Sequence, residues 1–116
     1  MRLITDKDSE GFIPCDPRTI AYQVGRDNLW GISGGRVIAR ETGITLPVSA
    51  GYSVTIDLHA SDLYTVRRIF KRGAKVWIKG EMSGVFCDQV GEVAYYASCY
   101  VSHPDFEALD ANRVGA

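Results

Sequence analysis

From Tyr52 to His59 apolar and polar side chains alternate without a break, as Tyr-Ser-Val-Thr-Ile-Asp-Leu-His. Successive side chains of an extended strand point to opposite faces, so this run has one apolar and one polar face and predicts a half-buried β-strand. A chain holding such a strand needs a sheet to pair it and a second layer to cover its apolar side. Asp57 and His59 fall on the polar side and are expected at the surface.

The next segment extends the sheet. Tyr64, Val66 and Phe70 continue with β-branched and aromatic company, Arg72-Gly73 supplies a turn, and Lys75 to Lys79 alternates again around Val76 and Ile78. This predicts a β-hairpin. On its second arm Lys75, Trp77 and Lys79 share one face and Val76 and Ile78 the other.

The hairpin carries an unusual charge load. Between Arg67 and Lys79 there are six cations, Arg67, Arg68, Lys71, Arg72, Lys75 and Lys79, and no acid, although the whole chain has a net charge of −1. Residues 80–116 hold six acids against the single Arg113. A basic segment interleaved with aromatic residues is the electrostatic footprint of a protein that meets an anion. The cations would neutralise phosphates while Trp77 or Phe70 offers a face to a base. Only one face of each arm looks outward, so at most about four of the six charges can converge on one ligand. The alternatives are contact with the acidic region of a neighbouring copy, and a solvated strand face that discourages edge aggregation. The sequence pI of about 6.1 is low for a dedicated nucleic-acid binder.

After Gly80 and Gly84, Asp88 is placed to cap a helix whose apolar residues fall at Val90, Val93, Ala94, Ala97 and Val101. Its small residues allow close approach to a sheet, and Gly91 needs a packing or backbone reason to sit in a helix. Tyr95, Tyr96 and Tyr100 form an aromatic flank that serves as an interface or packs beneath the end of the chain.

The amino-terminal half reads as short strands joined by glycine turns: Thr19 to Val24, Gly35 to Ala39, and Ile44 to Val48. Residues 1–17 read as an irregular lead-in and 106–116 as a polar tail. The expected fold is thus one α+β domain, mainly an antiparallel β-sheet with a basic β-hairpin and one carboxy-terminal helix packed on the sheet. A chain of 116 residues can bury enough apolar surface to fold without disulfides or metals.

Several functions are disfavoured. No run approaches the roughly 18 apolar residues of a membrane span, and MRLITDKDSE has acids where a signal peptide needs an apolar stretch. No membrane partner is expected. Cys15, Cys87 and Cys99 are odd in number and lack the spacing of a secreted framework, so they read as buried thiols in a reducing cytosol. A zinc site would have to gather Cys15, Cys87, Cys99 and His103 from distant positions with no C-x₂-C pair, so neither metal nor cofactor is expected.

Gly31-Ile32-Ser33-Gly34-Gly35 matches G-x-S-x-G, but a hydrolase of that type needs a large parallel sheet, and the chain holds just His59 and His103. The glycines suit a tight turn before Val37, or a backbone nest for an anion beside Arg26 or Arg36. An Asp57–His59 acid–base pair lacks a nucleophile or metal, so an enzyme is not expected.

TVRRIFKRGAKVWIKGE (65–81) followed by GVFCDQVGEVAYYASCY (84–100) resembles small uncharacterised proteins encoded by phages that infect actinobacteria. The resemblance covers the second half of the chain. It implies work in the bacterial host cytoplasm, as an accessory factor on nucleic acid, or in the virion. The leading expectation is therefore a non-enzymatic accessory protein that binds an acidic partner, nucleic acid or a nucleotide, through Arg67, Arg68, Lys71, Arg72, Lys75, Trp77 and Lys79. The alternative is a virion structural protein, for capsid decoration or a head–tail or tail position, working as a homo-oligomer with Tyr95, Tyr96 and Tyr100 at its contacts.

Overall fold

A computed structural model describes residues 2–104 and 106; the polar tail read at 106–116 otherwise lies outside them. The alternating run is strand β4, Tyr52–Leu58, at the centre of a six-stranded antiparallel sheet among the described residues. The other strands are β1 (Arg2–Leu3), β2 (Ile38–Ala39), β3 (Gly43–Pro47), β5 (Tyr64–Arg72) and β6 (Lys75–Val85), in the order β1-β6-β5-β4-β3-β2. Among the described residues, α1 (Pro17–Val24), α2 (Arg26–Ser33) and α3 (Val90–Ser98) join the sheet in an α+β fold, with α3 packed on β4, β5 and β6.

The register explains the core. Val54 and Ile56 face Leu46 and Ile44 on one side and Arg68 and Val66 on the other, so the apolar positions of three strands share a face. Ile20 and Val24 of α1, Ile32 of α2, and Val90, Val93, Ala94 and Ala97 of α3 cover it. Burying each Val or Ile contributes about 1.5–3 kcal/mol.

Thr19 to Val24 is helix, not strand. Asp16 accepts the Arg18 N–H at 2.9 Å as amino-terminal cap, Pro17 holds the first helical position, and Ile20 and Val24 present one buried stripe. Arg26–Ser33 is also helical, and the glycine turn read before Val37 is confined to the helix end, where Gly34 is the carboxy-terminal cap. Asp88 does not cap α3: Gln89 holds that position, and Val101 is exposed beyond the helix end. Gly91 is explained by a helix crossing, since a Cβ there would lie 2.4 Å from the Val24 carbonyl oxygen and 2.7 Å from Asn28 Nδ2.

The lead-in is more ordered than its sequence suggests. It holds β1 and a 3-10 turn at Asp6–Ser9, then crosses the helix-free face, where Ile13 N–H donates to Leu58 O at 3.0 Å and Phe12 bridges His59. Asp8 anchors it, accepting from Thr5 N–H at 2.7 Å and from the Arg2 guanidinium. Burial pushes the Asp8 carboxyl up, but the Thr5 and Arg2 hydrogen bonds and the Arg2 and Arg67 charges outweigh this, so its pKa lies below the ordinary 3.8. A carboxylate held low when folded stabilises above its unfolded value, and that contribution is lost as pH falls through the folded value. Stability is therefore expected to drop below about pH 4, and Asp8→Asn to flatten that part of the curve. Denaturant melts between pH 5 and pH 2.5 check this; identical slopes for the two proteins would refute it.

Candidate functional site

The two-residue loop Gly73-Ala74 joins β5 to β6, with Arg72 opposite Lys75 and Phe70 opposite Trp77. A bulge between Arg68 and Ile69 interrupts the ladder, leaving Lys79 between Ile78, opposite Ile69, and Gly80, opposite Arg68. The seven hairpin residues singled out by sequence divide into three groups.

Arg67 and Arg68 leave the candidate surface, because both are interior and engaged. Arg67 is 8% exposed; its Nε donates to Glu81 at 2.5 Å, its Nη2 donates to Asp8 O at 2.8 Å, and its guanidinium lies 5.0 Å from the Phe12 ring centre. Arg68, 3% exposed, points into the helix layer, where Nε donates to Ala97 O at 2.7 Å and Nη2 to Tyr96 O at 3.2 Å and His103 O at 2.5 Å. Their positions near the middle of β5 put them under covering layers on both sides of the sheet. Lys71 is exposed, and its place in the strand aims it to the face opposite Phe70.

Arg72, Lys75, Trp77 and Lys79 come together. With Phe70 they line a shallow depression of about 500 Å³ at the hairpin end, and among the described residues no acid joins them. Lys79 Nζ lies 5.6 Å from the centre of the Phe70 ring. Phe70 continues into further aromatic contacts: Tyr52 lies beside it at 4.9 Å between ring centres, and Tyr100 stacks on Tyr52 at 3.9 Å and 7°. Tyr52 was not singled out by sequence; the signal for it is the pairing of Tyr52 with Phe70, which needs the strand register.

The three tyrosines do not make one exposed interface. Tyr100 is held by Tyr52 and by a 3.1 Å hydrogen bond between its hydroxyl and Ser49 Oγ. Tyr96 packs against the core and edge-on to His103, leaving Tyr95 exposed against Gly31.

The remaining candidates are structural. Ser33 is buried and its hydroxyl donates to Arg36 O at 2.6 Å, with Leu29 O 3.2 Å away as the alternative acceptor, so no exposed serine follows from G-x-S-x-G. Asp57, expected at the surface, is 3% exposed and accepts from Arg40 at 2.9 and 3.2 Å and from Thr42 Oγ1 at 2.6 Å. His59 instead accepts Ser61 N–H on Nδ1 at 3.0 Å. Cys87 is exposed rather than buried, and lines with Cys15 a cleft of about 630 Å³ at the other end of the sheet. There the Tyr64 hydroxyl donates to Gln23 Oε1, and burial, with Cys15, Cys87 and Asp62 nearby, pushes its pKa up. No helix among the described residues is long and apolar enough to cross a membrane.

Comparison with protein-family models, curated proteins and solved structures finds no match to this chain.

Proposed function

We propose that this chain is a non-enzymatic, phage-type accessory protein that binds a phosphate-bearing partner, nucleic acid or a nucleotide, at the end of its β5–β6 hairpin. The observation that carries the reading is the depression in which Phe70 and Trp77 lie among Arg72, Lys75 and Lys79. Charges there neutralise phosphate and the rings take a base, the two contributions such binding needs. The phage-protein resemblance of residues 65–100 supports the bacterial host cytoplasm as the workplace. Three cations release about three counterions, so raising salt from about 50 to about 200 mM is expected to weaken binding roughly 20- to 40-fold. Fluorescence anisotropy with labelled oligonucleotides measures this. Lys75→Glu with Lys79→Glu should abolish the signal, while Lys71→Glu, on the opposite face, should leave most of it. Binding indifferent to both salt and the double reversal would overturn the proposal.

One observation favours a second reading, a virion component that assembles as a homo-oligomer. Tyr22 and Trp30, 87% and 63% exposed, flank a groove of about 610 Å³ between α1 and α2 that also holds Leu29 and Arg26. Aromatic residues and Arg are enriched at protein contacts. Light scattering on the same samples separates the readings: a stable oligomer that Trp30→Ser dissolves favours assembly, and a monomer that retains oligonucleotide favours the hairpin site.

A further inference from the structure

The hairpin end has an internal geometry that narrows the class of ligand. Tyr52 is opposite Phe70 and Phe70 opposite Trp77, so three neighbouring strands contribute one ring each to a row crossing β4, β5 and β6 on a single face. Tyr100 stacks on the Tyr52 end of this row. Two residues along the strands, Arg72 and Lys75 face each other and form a parallel row of charge. Residues i and i+2 of a strand are about 7 Å apart, close to the reach from a base across its sugar to its phosphate. Lys79 stands over Phe70, giving the ring row a cation of its own.

We infer that the ligand is single-stranded nucleic acid, lying across the strands with unpaired bases stacked on Trp77 and Phe70 and its backbone along Arg72 and Lys75. The inference rests on the proposed binding function and names the ligand class for that site. Rings take a base only by its flat face, and in a duplex both faces of an interior base are covered by its neighbours. A duplex would therefore meet the three cations alone. A depression of about 500 Å³ falls within the range for small-ligand sites, roughly 300–1,000 Å³, so it accommodates one or two nucleotides at a time. Stacking is tolerant of sequence because every base has a π-face.

The test uses the full chain carrying Trp30→Phe, which leaves Trp77 as the sole tryptophan. Binding of an eight-residue oligothymidylate, a blunt hairpin duplex of equal charge, thymidine monophosphate and inorganic phosphate is followed by anisotropy of labelled oligothymidylate, directly or by competition, and contact at Trp77 by tryptophan emission; the Trp77 variants, which lack that reporter, are compared by anisotropy alone. The expected result is quenching by the oligothymidylate, with the duplex at least about tenfold weaker. Trp77→Ala and Phe70→Ala should each weaken oligothymidylate binding about 5- to 150-fold, with Trp77→Phe recovering most of the loss. That recovery separates a lost stacking surface from a damaged fold. Duplex binding as tight as the single strand, with Trp77 emission unmoved, would overturn the single-strand assignment and leave phosphate binding standing. Monophosphate bound as tightly as the oligomer would overturn it in favour of a nucleotide site. If no probe binds and Lys75→Glu with Lys79→Glu changes nothing, both this inference and the function beneath it fall.

Discussion

Arg68→Leu is expected to lower stability by about 3–5 kcal/mol, because it strips a donor from the buried Ala97 carbonyl and from the half-buried carbonyls of Tyr96 and His103. The last carbonyls of a helix have no partner within the helix. In α3 the Arg68 side chain supplies one, with Nε on Ala97 O and Nη2 on Tyr96 O, and its reach to His103 O ties the following segment to the same guanidinium. Its planar face also lies 5.4 Å from the centre of the buried Phe106 ring. Leucine fills part of the volume but donates to none of these oxygens; Tyr96 O keeps the Cys99 N–H, whereas Ala97 O and His103 O lose the guanidinium. Lysine carries the charge but has a point donor rather than a fork, so Arg68→Lys should recover only a minor share. For a domain of this size the leucine variant should melt roughly 10–20 °C lower, while Lys71→Ala, three residues along the same strand and exposed, should melt with the native protein. Thermal circular dichroism of the three variants decides the matter. A leucine variant within about 2 °C of the native midpoint would mean that the bracket contributes nothing and that water replaces it.

The contrast between Arg68 and Lys71 also shows how far the sequence could be read. The alternation of Tyr52 to His59 gave a strand with the right apolar face, because Val54 and Ile56 point at the helices whatever covers the other side. Val90, Val93, Ala94 and Ala97 defined the buried stripe of α3 in the same way. Where the reading failed, the polar face was not wet. Asp57 and Arg67 lie on the helix-free side but beneath the lead-in segment, and their partners, Arg40, Thr42, Glu81 and Asp8, are brought in by tertiary contact. Arg68 breaks the rule from the other direction, as a cation on the apolar face whose hydrogen-bond partners lie 28 to 36 residues away. Charge counted along the chain cannot separate a cation that meets a ligand from one that holds two layers together. For α1 the difference between sequence and structure has a local reason. Thr19 to Val24 looks strand-like by composition, yet Asp16-Pro17 and the four-residue spacing of Ile20 and Val24 were present as helix signals. For the candidate site, Lys75, Trp77 and Lys79 on one face were legible from alternation alone, whereas Tyr52 and Tyr100 required strand register and a stacking contact.

Gly43→Ala, a change of one methyl group, is expected to destabilise the opposite end of the sheet by about 3 kcal/mol, the upper end of the usual overpacking range. Gly43 lies opposite Asp57 in the β3–β4 ladder, and a Cβ there would sit 1.8 Å from Ile56 O, 2.8 Å from Ile56 C and 2.9 Å from the Asp57 Cα. All three are main-chain atoms, so no rotamer relieves the clash and the two strands have to separate. Separation is costly here because the same few residues hold Leu58 N–H on Thr42 O, Arg40 N–H on Gly43 O, and Arg40 and Thr42 on the buried Asp57 carboxylate. A carboxylate 3% exposed that loses part of that set is left with an unmet charge. The damage should stay local at first. Tyr52 is five residues from Asp57 along β4, about 17 Å, so the ring row and the cations of the hairpin end are expected to keep their arrangement below the melting transition. Hydrogen exchange should therefore quicken at Ile44 and Leu46 while oligonucleotide binding at low temperature stays near its native level. Native stability in the alanine variant would show that β3 shifts freely over β4. Loss of binding in a still-folded variant would show that the two ends of the sheet are coupled, against the independence that the register implies.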